Sequence, residues 1–171
     1  LSLASENTNL KAQRLSFGAA RDAAAAFRTA IDAAIQGRSA EDECKLDAIA
    51  ARARTAVLEI QVLQAPHIAE PEDAVMTRLE SEMDAAASAA KKALDGLRAA
   101  LGASPQLDAA GDALTRFLSV HAEIVKLSRR NSNVRSLALS LGRKRTVTAT
   151  CETHLQAFET ALGRHAFTAT R

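Results

Sequence analysis

Tryptophan and tyrosine are absent from the 171 residues, and five phenylalanines are the only carbocyclic rings. A chain so poor in rings is ill equipped for aromatic cages, sugar-stacking platforms or base-stacking surfaces. Proline occurs three times and glycine seven times, whereas alanine occurs 39 times. The first two are the weakest helix formers and alanine is the strongest, so the balance predicts helix. Strand-forming residues are correspondingly thin, which argues against an all-β or α/β fold. Long apolar runs are missing too. The nearest candidate, Gly18 to Ile35, is interrupted by Arg21, Asp22, Arg28 and Asp32, so it does not supply the ~18 uninterrupted apolar residues that a membrane span requires. Two cysteines, Cys44 and Cys151, are too few for a disulfide scaffold and form no CxxC pair; they read as small, partly buried, unbridged residues. With 47% hydrophobic residues and a net charge of +2, the chain can build a core and is not a disordered tail. It starts at Leu1 rather than Met, and reads as a piece processed or excised from something longer.

The apolar pattern divides the chain into four helical stretches within one domain, residues 1–171. The first, about 3–36, repeats Leu3, Leu10, Phe17, Ala24 and Ile31 every seven residues, a heptad seam on one helix face. Gly37 stops it, and Ser39 with Asp42 caps the next. The second, about 40–64, carries Leu46, Ile49, Ala53, Val57, Ile60 and Leu63. Pro66 and Pro71 then bracket a predicted turn or kink. The third runs over about 72–101, ending at Gly102, and Ser104-Pro105 opens the fourth as N-cap and N1. From 105 to 162 helical spacing persists through Leu114, Leu118, His121, Val125, Val134, Leu137, Leu141, Thr148, Leu155, Phe158 and Leu162. The expected architecture is all-α: an elongated up-down antiparallel four-helix bundle whose last helix is very long. Ser128–Ser132 and Gly142 are the places where that helix could break.

Chemistry enters where this pattern turns polar. Residues 7–21 and 131–145 form a weak repeat, pairing Asn7-Thr8-Asn9 with Asn131-Ser132-Asn133 and Leu15-Ser16-Phe17-Gly18 with Leu139-Ser140-Leu141-Gly142. The second copy lies in a stretch with no acid between Glu123 and Glu152 but seven cations. On the seam register Ser128, Ser132 and Arg135 occupy core positions, where polar groups are costly unless paired. Arginine forks and asparagine amides there suit a small carboxylate; the alternative is a basic face paired with Glu80, Glu82 and Asp84. On the first helix Arg14, Arg21 and Arg28 also recur every seven residues. They either line a surface that receives an anion or form a salt-bridge row. His67 and His121 lie on or beside seams, where a histidine is most simply a packed, hydrogen-bonded residue. No histidine has a glutamate three residues before it, as helical di-iron sites require. P-loop, GxGxxG and GxSxG motifs are absent. The chain is therefore expected to be no enzyme, with no catalytic, metal or cofactor site and no nucleic-acid partner.

The run from Val125 to Leu141, Val-Lys-Leu-Ser-Arg-Arg-Asn-Ser-Asn-Val-Arg-Ser-Leu-Ala-Leu-Ser-Leu, resembles the late helix of the extracytoplasmic helical-bundle sensor domains of bacterial methyl-accepting chemotaxis receptors. The opening Asn9 to Arg21 and the phrase Leu63 to Glu70 share the likeness. Together these phrases cover about a quarter of the chain, and the helical layout covers all of it. The resemblance implies a periplasmic domain between two transmembrane helices of an inner-membrane receptor, working as a homodimer in chemotaxis signal transduction. It further implies a small ligand, an organic acid or amino acid, or a periplasmic binding protein, whose binding displaces the helix entering the membrane. Arg14, Arg21 and Arg28 from the first helix, with His121, Asn131, Asn133 and Arg135 from the last, would hold that ligand. Two rival readings remain: a sensor domain feeding a membrane histidine kinase, and a structural or protein-interaction bundle without a small-molecule site.

Overall fold

A computed structural model describes residues 5–36 and 40–168. Among these residues it is helical throughout, with no strand. We number the helices α1 (Thr8–Leu15), α2 (Arg21–Ile35), α3 (Ala40–Ala69), α4 (Asp73–Leu101), α5 (Pro105–Arg130), α6 (Ser132–Leu141) and α7 (Arg143–Thr168), with a π-turn, Ser16–Ala20, joining α1 to α2. Helix α3 packs along α4, and α1 and α2 pack along α5. The core between them is alanine-lined: Ala12, Ala20, Ala24, Ala50, Ala53, Ala90 and Ala110 are fully buried. Larger knobs, Phe27, Ile31, Ile60, Met83, Leu97, Phe117 and Ile124, interleave with them. Small residues let the backbones approach closely while the large ones fill the remaining volume at interior density.

Several boundaries follow from local chemistry. Ser104 caps α5, its Oγ accepting from the Leu107 N–H at 3.2 Å, with Pro105 at the first helical position. Gly102 ends α4 at φ 75°, a conformation that suits glycine. Leu3, Gly37 and Ser39, invoked above for the first seam and the next cap, lie outside the described residues, as does the side chain of Asp42.

Other expectations are corrected. The first helix does not run unbroken over 3–36. Asn7, at φ 49° and ψ 40°, precedes α1, and the chain widens into the π-turn before α2. Pro66 is not a turn residue: α3 passes through it and ends at Ala69. The long fourth helix is three helices, interrupted at Asn131 (φ 50°, ψ 37°) and at Gly142 (φ −97°, ψ −101°). Asparagine tolerates the left-handed region better than most residues, because its short polar side chain can bond locally. Both interruptions align with the sequence repeat, since Asn7 corresponds to Asn131 and the π-turn at Ser16-Phe17-Gly18 to the break at Gly142. Cys44 and Cys151 are unbridged as expected, but both are exposed rather than partly buried.

Candidate functional site

The two copies of the repeat meet face to face. Thr8 N–H donates to Ser132 Oγ at 3.0 Å, and Ser132 N–H donates to Thr8 Oγ1 at 3.0 Å. One residue on, Asn9 N–H donates to Asn133 Oδ1 at 3.2 Å and Asn133 N–H to Asn9 Oδ1 at 3.1 Å. The amides cross as well: Asn9 Nδ2 donates to Asn131 Oδ1 at 2.9 Å and Asn133 Nδ2 to Asn7 Oδ1 at 3.1 Å. The Thr8 hydroxyl closes the centre on Ser132 Oγ at 3.1 Å. Before the motif, Glu6 and Arg130 form an ion pair at 2.8 Å. A helix start carries N–H groups with no partner in its own helix. Here each of two helix starts is capped by the side chains of the other, in a pseudo-twofold arrangement. Thr8, Asn131 and Ser132 are buried there.

The same junction closes the end of α3. Ser128 Oγ–H donates to the His67 carbonyl at 2.8 Å, Asn9 Nδ2 to the Ile68 carbonyl at 2.6 Å, and Asn131 Nδ2 to the Glu70 carbonyl at 2.8 Å. Three side chains from α1, α5 and the α5–α6 link thus satisfy two carbonyls in the last turn of α3 and that of Glu70 just past its end. These tertiary bonds support the last turn beyond Pro66, which local sequence rules would end earlier.

Above the junction lies a second polar cluster. The Arg129 guanidinium clasps Glu80, Nε to Oε1 at 2.6 Å and Nη2 to Oε2 at 2.7 Å. His67 Nε2 lies 2.8 Å from Glu80 Oε1. The Arg129 fork, joined by the hydrogen bond from His67, holds the Glu80 carboxyl below the usual carboxylate range against the opposing effect of burial. Arg129 is raised above the ordinary guanidinium value, chiefly by the same bond. His67 Nδ1, on the other side of the ring, is buried and has no partner among the described residues.

A third chain of bonds crosses the core. Ser16 in the π-turn donates its hydroxyl to Gln64 Oε1 at 2.6 Å, and Gln64 Nε2 contacts His121 Nδ1 at 3.4 Å. Gln64 and His121 are buried. Burial lowers the His121 pKa, although Asp84 nearby opposes this. In its neutral form His121 accepts at Nδ1 and carries its proton on Nε2. Ser16 and His121 line different grooves. One, of about 390 Å³, lies between α1, α3 and α6 and is lined by Asn9, Leu10, Gln13, Ser16, Phe17 and Asn133 among others. The other, of about 350 Å³, lies between α4 and α5 and includes Glu80, Asp84, Lys91 and His121.

The residues singled out in the sequence separate into groups. Asn131 and Asn133 come together at the junction, and His121 sits in the core relay. Arg14, Arg21 and Arg28 are exposed on the outer face of the first helical stretch, with Arg21 bonded to the neighbouring Asp22. Arg135 is exposed rather than at a core position. The groove that Asn133 lines contains no arginine. Of the alternative pairings for the basic face, Glu80 with Arg129 is formed. Thr8, Ser16 and Gln64 were missed as site residues. Gln64 could have been found four residues after the seam residue Ile60, and Thr8 and Ser16 lie inside the repeat. No protein-family model, no curated protein and no solved structure matches this chain.

Proposed function

We propose that this chain is the extracytoplasmic ligand-sensing domain of a transmembrane chemoreceptor, an up-down antiparallel four-helix bundle that passes a helix displacement to α6–α7. The observation that carries the reading is the reciprocal cap between Thr8-Asn9 and Ser132-Asn133, which ties the first helix of the bundle to the first residues of the outgoing one. A shift of α1 along its axis must either break six reciprocal bonds or carry α6 with it. Packed, bonded interfaces of this kind change between discrete arrangements rather than deforming continuously.

The ligand site we assign is the groove between α1, α3 and α6. Its polar lining comes from Asn9, Gln13, Ser16 and Asn133, and its apolar wall from Leu10, Phe17, Ile68 and Val134. The Gln13 amide and the second amide hydrogen of Asn133, beside the one bonded to Asn7, are donors of the kind that suit an organic acid or an amino acid. A ligand that bridges α1 and α6 favours one arrangement of the junction by the difference in its affinity for the two. No helix among the described residues is long and apolar enough to cross a membrane, so the membrane attachment in this reading belongs to flanking sequence.

A thermal-shift screen of organic acids and amino acids tests the proposal. A true ligand at 100 times its dissociation constant adds about 2.7 kcal/mol to the folded state. Asn133→Ala should abolish the shift for that ligand while the bundle still folds. Absence of any shift across both compound classes would remove the ligand-sensing reading.

A further inference from the structure

The relay Ser16–Gln64–His121 has one end in each of two grooves. Ser16 lines the groove between α1, α3 and α6 with Gln13 and Asn133, and His121 lines the one between α4 and α5 with Glu80, Asp84 and Lys91. Gln64 between them is fully buried, and His121 is only 8% exposed. Phe117 stacks on the imidazole, with ring centroids 6.4 Å apart and planes 10° from parallel. The bonds of the relay have a direction. The Ser16 hydroxyl donates to Gln64 Oε1 at 2.6 Å, and Gln64 Nε2 faces His121 Nδ1 at 3.4 Å. An amide nitrogen can only donate, so this arrangement needs Nδ1 as an acceptor and therefore a neutral ring. It also commits the single hydroxyl hydrogen of Ser16 to Gln64, out of reach of anything in the groove that Ser16 lines.

We propose that proton uptake by His121 reverses this relay and frees the Ser16 hydroxyl to bind a carboxylate in the groove between α1, α3 and α6. The step adds one proton, taken from solvent, and breaks no other covalent bond. Once Nδ1 carries hydrogen, both ring nitrogens donate, and Gln64 Nε2 against Nδ1 sets donor against donor inside the core. Turning the Gln64 amide over restores both contacts. Its Oε1 then accepts from Nδ1, and its Nε2 donates to Ser16 Oγ. The serine oxygen has become the acceptor of that bond, and its hydrogen is released. Without a ligand the hydroxyl can turn to the Ala12 carbonyl, four residues earlier, as helical serines do. A carboxylate in the groove is the stronger acceptor, because its charge strengthens the bond. Ser16 thus joins the Gln13 amide and the second amide hydrogen of Asn133 as a donor only when His121 is charged. The surroundings of His121 set where this happens. Burial holds its pKa below the ordinary histidine range; Asp84 and Glu80 on α4 oppose this, and His67 on α3 adds to it. Lys91 of α4 shares the groove. Among the described residues no charged group of α1, the π-turn or α2 acts on the ring.

The inference rests on the ligand groove assigned above and gives its regulation: carboxylate binding tightens in acid, and by linkage a bound carboxylate makes His121 easier to protonate. Nuclear magnetic resonance on the whole 171-residue chain follows the His121 ring, the Gln64 side-chain amide and the Ser16 backbone amide from neutral pH into the range below about 6.5. The expected result is that all three titrate together, with one midpoint. In His121→Gln the titration at Gln64 and Ser16 should vanish. In Gln64→Met the ring should still titrate while Ser16 no longer follows it. Sodium acetate is the ligand probe, read from the side-chain amides of Gln13 and Asn133. It should bind roughly 5–10-fold more tightly below the midpoint than above it, and Ser16→Ala, at a half-buried position, should remove that difference without unfolding the bundle. Gln64 and Ser16 signals that stay still while His121 titrates overturn the relay. Equal acetate affinity on both sides of the midpoint, or a difference that survives Ser16→Ala, overturns the gating. Acetate that binds at neither pH overturns the sensing reading and the gating with it, whereas a silent Ser16 beside pH-independent acetate binding overturns the relay and leaves the groove standing.

Discussion

Replacing Ser132 by alanine should strip the centre of the junction. The substitution removes the acceptor of the Thr8 N–H at 3.0 Å and of the Thr8 hydroxyl at 3.1 Å, and both donors sit on a buried residue. A buried donor left without a partner costs about 1–3 kcal/mol, while the ordinary loss of a helix cap costs about 0.5–2 kcal/mol. Ser132→Ala should therefore destabilise the fold by roughly 2–3 kcal/mol. Thr8→Ala removes the reciprocal acceptor of the Ser132 N–H and should cost a similar amount. The two share the hydroxyl–hydroxyl bond, so the double variant should cost less than the sum, with a coupling of about 0.5–1.5 kcal/mol. Urea titration followed by circular dichroism measures all four corners of the cycle, the denaturant slope staying constant if only stability changes. A Ser132→Ala cost below about 0.5 kcal/mol, together with additive behaviour in the cycle, would show that the reciprocal cap is not a structural element in solution.

Other outcomes follow from the same geometry. Arg129→Met leaves Glu80 without its two-pronged partner and should cost about 1–2 kcal/mol, measured by thermal melting at neutral pH. Because the Glu80 pKa is depressed on folding, its contribution is present above the ordinary carboxylate range and is lost as pH falls through the lowered value; Glu80→Gln should flatten that part of the stability–pH curve. His121 has a lowered pKa in the fold, so below its ordinary value of about 6.5 the unfolded chain takes up a proton that the folded chain resists. Stability should therefore fall as pH drops below that point, and His121→Gln should remove this slope in acid melts. Gly111→Ala brings a methyl group against the Arg98 guanidinium, the far end of a flexible side chain. The arginine can swing away, and the gain in helix propensity should raise stability by up to about 1 kcal/mol. Phe27→Ala, at a fully buried ring, should cost about 3–5 kcal/mol.

The polar junction was half legible in the sequence. The repeat of Asn-Thr-Asn and Asn-Ser-Asn stood out, as did the intrusion of Ser128 and Ser132 into core positions, because both are violations of an otherwise regular apolar pattern. Their partners were not legible. Nothing local to Thr8 points to a residue 124 positions away, and hydrogen bonds leave no periodic trace in a chain. Pro66 was misread for the same reason. Local rules end a helix near a proline, and only Ser128, Asn9 and Asn131, arriving from other elements, supply what the carbonyls in the last turn of α3 and just past its end need. The arginine heptad of the first helix was visible as a row, but not its separation from the asparagines: Arg14, Arg21 and Arg28 are exposed, while Asn131 is buried at the junction.

What the sequence determined by itself was the helical class and part of its faces: Ala24 and Ile31 of the first seam are buried, whereas Leu10 and Phe17 of the same seam, and Leu137 to Leu162 of the last stripe, are exposed. Scarce glycine and proline, abundant alanine and a heptad of large residues are local properties, and helix formation is governed by local propensity and periodicity. The absence of tryptophan and tyrosine acts in the same local way, leaving alanine to set how closely the helices approach. Tertiary structure decided where the helices stop and what their polar residues serve. Asn7 and Asn131 bend the chain at the one place where two helix starts can cap each other, a choice set by the free energy of bonds between distant residues.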